Sequence, residues 1–158
     1  MHMFCGPIRY ETSSFQIQNT YRFQQLLIPR MTTMRCLDDS KTYTQYCSDL
    51  MNDQIRNYLI VKDVVKEFQN DGKIIILSER RQHLTILYEM LKLLHIHVYV
   101  LTGERKTKER NEIIAKVRNF NSKEKFILLA TSKLLGEGFD LPALSTLFLV
   151  MPISDESR

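Results

Sequence analysis

Four short apolar runs alternate with segments of helical periodicity, and this alternation constrains the fold more than any other feature of the sequence. The runs are Lys73–Leu77, His97–Leu101, Phe126–Leu129 and Leu147–Val150. Runs without polar alternation are typical of strands that are covered on both faces. Helical spacing is shown by Ile55, Leu59, Ile60, Val64, Val65 and Phe68, then by Leu84, Leu87, Leu91 and Leu94. A basic helix is predicted from about Lys106 to Phe120. This order predicts an α/β fold with a parallel sheet flanked by helices on both faces.

Composition places the chain among globular proteins with a real core. Of its 158 residues 44% are hydrophobic and 25% are charged, which fits one domain. No apolar run reaches the ~18 residues that a membrane span needs, and the first residues lack the features of a signal peptide. Three widely spaced cysteines, and two histidines without a third ligand, indicate reduced thiols and no metal site. We therefore expect an intracellular, cytoplasmic protein with no membrane partner.

A loop that follows the third apolar run carries the clearest chemical signal. The run ends at Ala130, Thr131 and Ser132, and the loop then holds Gly136, Gly138 and Asp140. Open α/β sheets bind ligands at the carboxyl ends of their strands. Glycine lets the backbone approach a phosphate or a sugar, and Asp140 is an acceptor for hydroxyl groups. A tight turn without a ligand explains the same pattern.

The residues of this loop resemble a helicase motif. Ala130-Thr131 and Gly136-Glu137-Gly138-Phe139-Asp140-Leu141-Pro142 are similar to motif V of superfamily 2 helicases, which lies in their second RecA-like domain. The resemblance implies that ATP contacts Gly136, Glu137, Gly138 and Asp140, with Asp140 accepting from the ribose hydroxyls. It also implies that Thr131 and Ser132 contact nucleic acid.

Two further strand ends resemble the same domain, in the same order along the chain. Ile74 to Ser78, followed by Glu79-Arg80-Arg81-Gln82-His83-Leu84, is similar to motif IV, and Leu101-Thr102-Gly103 is similar to the next strand end. The resemblance implies that nucleic acid also contacts Ser78, Arg80, Arg81, Thr102 and Gly103. Three matching strand ends in the order of the family identify it more specifically than one matching loop does.

The resemblance narrows to one branch of the DEAD/DEAH-type helicases. Cys5–Tyr10, Leu27–Arg30, Leu135–Asp140 and Leu147–Ser154 are similar to the XPB-like branch found in prokaryotic conflict systems and large DNA viruses. The residues of 1–52 predict extended segments and a variable stretch, with a short helix from Thr42 to Met51 to which we assign no chemistry. The resemblance implies a RecA-like core at 53–158 that is truncated before motif VI. A viral source would place the protein in the host cytoplasm.

The motifs of the first RecA-like domain are not found in this sequence. It has neither a GxxxxGK[ST] loop nor an acidic box, and it stops before the arginine motif of the second domain. The resemblance implies that this chain supplies half of the ATP cleft and half of the nucleic-acid grip of an ATP-dependent helicase or translocase. The first RecA-like domain of the same parent chain would be its partner and would hold most of the Mg²⁺ contacts. We assign no catalytic residue and expect the chain alone to be inactive.

Positive charge is concentrated in one segment. The net charge is +4, and Leu101 to Lys125 holds eight basic and four acidic residues. The basic residues are Arg105, Lys106, Lys108, Arg110, Lys116, Arg118, Lys123 and Lys125. A nucleic-acid footprint centred on Lys106, Lys108 and Arg110 explains the run, and so does a solvated helix face. We expect DNA rather than RNA as the partner.

Two other functions are compatible with the residues alone. One is a non-catalytic nucleotide- or phosphate-binding module of flavodoxin-like type, which also places ligands at strand ends. The other is a different α/β enzyme, such as a transferase. A phosphate loop and an acidic box upstream in the parent gene would favour the helicase.

Overall fold

The computed structural model describes residues 26–33, 40–70, 72–103, 107–120, 124–132, 141 and 143–152. The chain divides into two compact units, residues 1–31 and residues 32–158. The described part of the first unit, 26–31, contains no helix or strand. All the elements below belong to the second unit.

The second unit is a parallel α/β sheet, as the alternation predicts. Its helices are α1 (Tyr43–Asn52), α2 (Gln54–Gln69), α3 (Arg81–Leu93) and α4 (Thr107–Arg118). Its strands are β1 (Lys73–Ser78), β2 (Val98–Leu101), β3 (Phe126–Thr131) and β4 (Thr146–Leu149). The strand order is β2-β3-β1-β4 and every pair is parallel. The two longest and most apolar strands, β1 and β3, therefore lie at the centre.

Both faces of the sheet are covered by helices, because alternate residues of the apolar runs point to opposite sides. On one face, Ile74, Ile76, Ile127 and Leu129 pack against Val61 and Val64 of α2 and Leu84, Leu87 and Leu91 of α3. On the other face, Ile75, Phe126, Leu128 and Ala130 pack with Val117 of α4. Each such side chain stabilises the fold by roughly 1.5–3 kcal/mol relative to exposure. The prediction of helices on both faces is confirmed.

Helix α1 is formed by local capping and lies against the core. Thr42 and Gln45 form a reciprocal capping box at its start. Its end at Asp53 is also the start of α2, because the Asp53 carboxylate accepts from the Arg56 backbone N–H at 3.0 Å. The predicted short helix at Thr42 to Met51 is confirmed to within one residue.

Two of the apolar residues that recur at helical spacing are exposed, and one of them, Leu94, was expected to face inward. Ile55 is 68% exposed and Leu94 is 51% exposed. Leu94 is the residue at which α3 ends, and the next residue, His95, adopts a left-handed φ of 56° that turns the chain out of the helix. On α2 the inward position is taken by Asn57, which is buried and polar. The inward face of α3 is confirmed at Leu84, Leu87 and Leu91 and is wrong at Leu94.

Among the described residues, no helix combines the length and the apolar character that a membrane span needs. In the same ranges, no three potential metal-binding side chains are grouped.

Candidate nucleic-acid interface

The polar strand ends lie side by side along one edge of the sheet, which we call the carboxyl edge. Ser78 of β1 is in register with Thr131 of β3, and Leu101 of β2 is in register with Ala130. The pairing of β1 with β4 continues one residue further, because the Val150 N–H donates to the Leu77 carbonyl at 3.1 Å. The ends of β2, β3, β1 and β4 therefore follow one another in a row. The structure places Ser78, Thr102, Gly103, Thr131 and Ser132 along this edge, and their contact with nucleic acid stays a prediction.

A tight turn after β1 places two arginines at the start of α3. The Ser78 hydroxyl accepts from the Arg80 N–H at 3.1 Å and lies 3.2 Å from the Arg80 carbonyl oxygen. Arg80 is the N-cap residue of α3, but its side chain makes no capping hydrogen bond, and Arg81 is exposed. Helix N-termini favour anions, and guanidinium groups bind phosphate in a bidentate manner. This turn has the chemistry of a phosphate contact.

The end of β3 carries hydroxyl groups that are almost completely buried. Thr131 and Ser132 are each 9% exposed. The Ser132 Oγ has no hydrogen-bond partner within the described ranges. An unpaired buried hydroxyl costs about 1–3 kcal/mol, so a polar ligand at this strand end would stabilise it. The site therefore fits a polar ligand at the start of the glycine-containing loop.

Several predicted site residues lie outside the described residues. They are Lys106 and the ATP-contacting set Gly136, Glu137, Gly138 and Asp140. The loop that holds this set starts after Ser132, at the carboxyl edge. It ends at Leu141, which is buried against the α4 side of the sheet.

The basic run does not form one patch. Because β2 and β3 are parallel, α4 carries the chain from the carboxyl edge back to the opposite edge. Lys108 and Arg110 lie in the first half of α4, while Lys116 and Arg118 lie in its last turn, about 10–15 Å away at 1.5 Å per residue. Lys125 lies just before β3, and its Nζ donates to the Gln69 carbonyl at 3.0 Å. Of the described basic residues in this run, Lys108 and Arg110 are those near the carboxyl edge.

Sequence reasoning missed a buried polar chain behind the Ser78–Arg81 turn. His83 and Asn57 are both buried, and His83 Nε2 lies 2.9 Å from Asn57 Oδ1. The other ring nitrogen, Nδ1, lies 3.3 Å from the Ser78 Oγ. The Asn57 amide nitrogen donates to the Met51 carbonyl at 2.8 Å. A histidine and an asparagine at inward positions of two apolar helix faces were the signal in the sequence.

The hydrogen bonds indicate the protonation state of His83. Because the Asn57 amide donates to Met51, its oxygen must accept, so the Nε2 of His83 carries the proton. Burial, and then the nearby positive charge of Arg56, lowers the pKa of His83 to about 4. His83 is therefore neutral at pH 7, and its Nδ1 accepts from the Ser78 hydroxyl.

Arg56 and Tyr43 connect α1 and α2 to the chain that leaves β4. The Arg56 guanidinium donates to the Leu50 carbonyl at 3.4 Å and also to the Val150 carbonyl. Burial lowers the pKa of Arg56 below its usual value. The Tyr43 hydroxyl donates to the Pro152 carbonyl at 3.3 Å. The region that sequence analysis left without chemistry therefore borders the carboxyl edge.

Comparisons with known proteins agree with this geometry. The model of the helicase conserved C-terminal domain family matches residues 53–157. Transcript termination protein A18 of rabbit fibroma virus (strain Kasza) is 30% identical over 114 residues, which are 70% of this chain and 23% of that protein. The protein of the same name from myxoma virus (strain Lausanne) is 32% identical over 102 residues, 63% of this chain and 21% of that protein. The chain spans less than a quarter of the length of these relatives.

Two solved structures share the fold. Domain 2 of the DEAD-box helicase Mss116p, bound to an RNA duplex, matches with a TM-score of 0.53 and 17% identity, covering 64% of this chain and 39% of that one. The C-terminal part of the Fun30 ATPase domain matches with a TM-score of 0.54 and 20% identity, covering 69% and 39%. These likenesses concern the fold alone. They confirm the predicted RecA-like sheet.

Proposed function

The chain belongs to the helicase conserved C-terminal domain family, and from this we propose that it supplies half of the ATP cleft and half of the strand grip of an ATP-dependent helicase or translocase. The row of polar strand ends at the carboxyl edge carries the proposal. The family match supports this function over a flavodoxin-like module and over an unrelated α/β enzyme. It also supports the predicted relation to DEAD/DEAH-type helicases, and the viral relatives agree with it.

Nucleic acid is gripped by groups at the carboxyl edge. Arg80 and Arg81 contact phosphate at the start of α3, and Lys108 and Arg110 add positive charge at the start of α4. The hydroxyl groups of Thr102, Thr131 and Ser132, the exposed backbone of Gly103, and Lys106 complete the set. Ser78 was also predicted to contact nucleic acid, but it is 1% exposed and its hydroxyl is hydrogen-bonded inside the turn, so we assign it the support of the turn instead. DNA is the proposed partner, and the relatives named for transcript termination direct the proposal to nucleic acid engaged in transcription.

The loop after β3 supplies the ATP contacts of this chain. Gly136, Glu137, Gly138 and Asp140 contact the nucleotide, and Asp140 accepts from the ribose hydroxyls. The first RecA-like domain of the parent protein supplies the phosphate loop and most of the Mg²⁺ contacts. Closure of the cleft on ATP moves the two domains along the strand that both of them grip. A cytoplasmic location stays a prediction.

Reversing the two charges near the carboxyl edge tests the grip. The chain should bind a labelled single-stranded oligonucleotide weakly, with a Kd of roughly 10⁻⁴ to 10⁻⁶ M that rises with salt. Lys108→Glu with Arg110→Glu should weaken binding roughly tenfold and lower the salt slope by about 1.4, because two phosphate contacts are lost. Fluorescence anisotropy at several salt concentrations measures both quantities.

The same helix provides the matched control. Lys116→Glu with Arg118→Glu changes the net charge equally but at the far end of α4. Glutamate there is unfavourable for the helix dipole, by about 0.3–1 kcal/mol each, so folding is checked by circular dichroism. Equal losses of affinity in the two double variants would mean that binding follows net charge and not the carboxyl edge.

A second prediction concerns ATP turnover by the chain alone. We expect none above background, with or without nucleic acid, because the phosphate loop and the acidic box are absent from this sequence. A phosphate-release assay of the purified chain measures this, with the parent protein as the positive control. Turnover that survives further purification would contradict the assignment of catalysis to both domains together.

A further inference from the structure

A polar chain of hydrogen bonds runs from α1 through α2 and α3 to the turn that carries Arg80 and Arg81. It passes from the Met51 carbonyl to Asn57, from Asn57 to His83, and from His83 to the Ser78 hydroxyl. Ser78 in turn accepts from the Arg80 N–H. We propose that Asn57 and His83 are positioning residues, which hold the Ser78–Arg81 turn in the geometry that contacts nucleic acid. This inference rests on the proposed function.

Packing does not require these polar side chains. The neighbouring inward positions on the same two helices are apolar, namely Val61 and Val64 on α2 and Leu84 and Leu87 on α3. Apolar replacement of two buried, hydrogen-bonded partners is often close to neutral for stability. The polar pair fixes the position of α3 relative to α2, because a hydrogen bond restricts the relative position of its two atoms far more than an apolar contact does.

The Ser78 hydroxyl connects the buried hydrogen-bonded chain to the turn that carries Arg80 and Arg81. It has one proton and two nearby acceptors, the His83 Nδ1 and the Arg80 carbonyl. Neutral His83 needs a donor at Nδ1, so it selects the hydroxyl rotamer that points toward α3. The hydroxyl oxygen then faces the Arg80 N–H. Without His83 the hydroxyl donates to the Arg80 carbonyl instead, and the turn loses the hydrogen bond that ties it to α2 through His83 and Asn57.

A loosened turn weakens phosphate binding without removing any phosphate contact. Two guanidinium groups must meet phosphates within fractions of an ångström, and a support that shifts by about 1 Å costs affinity. The positioning residues themselves are buried and cannot touch nucleic acid. Their effect on binding must therefore pass through Arg80 and Arg81.

The test uses a double variant that removes both polar partners at once. Asn57→Leu with His83→Leu removes both partners of the hydrogen bond between the two helices, although the Met51 carbonyl and the Ser78 hydroxyl each lose one bond. Asn57→Ala, which leaves the His83 N–H unpaired, is the second variant. Val61→Ala is the matched control, since it lies one turn from Asn57 on the same face and only loses apolar packing. Thermal unfolding identifies conditions in which all variants are folded. Anisotropy with a labelled single-stranded oligonucleotide, as DNA and as RNA, then gives affinity and salt slope.

We expect both Asn57 variants to bind about three- to tenfold more weakly, an effect of the size of one hydrogen bond that restrains the turn, while Val61→Ala binds like the native chain. In a background of Arg80→Ala with Arg81→Ala, the Asn57 and His83 changes should have no further effect. A purely structural role would not produce this non-additivity.

Two results would overturn the inference, and they differ in whether the proposed nucleic-acid grip also fails. If the arginine double variant binds weakly but the Asn57 variants bind normally when folded, the positioning role is wrong and the proposed grip stands. If the arginine double variant itself binds normally with an unchanged salt slope, the turn does not contact nucleic acid, and the proposed grip fails there together with the inference.

Discussion

Acidification from pH 7 to pH 4 should destabilise the chain by roughly 3 kcal/mol through His83 alone. The pKa of His83 falls from 6.5 in the unfolded chain to about 4 in the folded chain, because of burial and then the charge of Arg56. Between these values the unfolded chain binds the proton and the folded chain does not. The stabilisation is therefore complete above pH 6.5 and is lost as the pH falls toward 4. Urea unfolding at a series of pH values measures this loss.

Two variants isolate the contribution of His83. His83→Gln cannot titrate, so its free energy of unfolding should fall less between pH 7 and pH 4, by roughly the 3 kcal/mol assigned to His83. Asn57→Asp places a carboxylate beside Nε2 and should raise the pKa of His83. Less of the free energy of unfolding should then be lost between pH 7 and pH 4. His95→Asn, at an exposed turn with a positive φ that asparagine tolerates, is the control. Parallel acid curves for the native chain and His83→Gln would show that His83 is not buried neutral.

In a protein that contains both RecA-like domains, Asp140→Ala should weaken ATP use while nucleic-acid binding without nucleotide survives. Thr131→Val keeps the side-chain volume but removes a hydroxyl at the carboxyl edge. It should weaken the stimulation of ATP hydrolysis by nucleic acid and leave nucleotide binding close to normal. A neutral hydrogen bond contributes about 0.5–1.5 kcal/mol and a charged one about 1.5–3 kcal/mol, so effects of roughly three- to a hundredfold are expected. Steady-state kinetics with and without nucleic acid measure both.

The opposite edge of the sheet offers a control for this pair. Thr146→Val makes the same substitution at the first residue of β4, away from the carboxyl edge. It should change neither activity. If the loop is only a structural turn, Asp140→Ala and Thr131→Val would instead lower the unfolding temperature together and impair both ligands equally.

The sequence by itself determined the class of fold and the edge of the sheet at which the polar strand ends meet. Strands buried on both faces must be apolar at every position, so β1 and β3 were visible as continuous runs. Parallel strands bring their carboxyl ends to one edge, so the polar residues after those runs had to meet there. Ser78 in register with Thr131 follows from this rule. This conclusion requires no knowledge of contacts between residues that are distant in the sequence.

Only the tertiary structure decided which distant residues are partners. Asn57 and His83 are 26 residues apart, and nothing in the local periodicity of either helix indicates the other. The same holds for Arg56 with the Val150 carbonyl, which are 94 residues apart. The basic run looked continuous in sequence, but α4 crosses the sheet and separates its charges. Periodicity reports which face of an element is buried, whereas a hydrogen bond depends on the relative position of two elements, and packing alone decides that position.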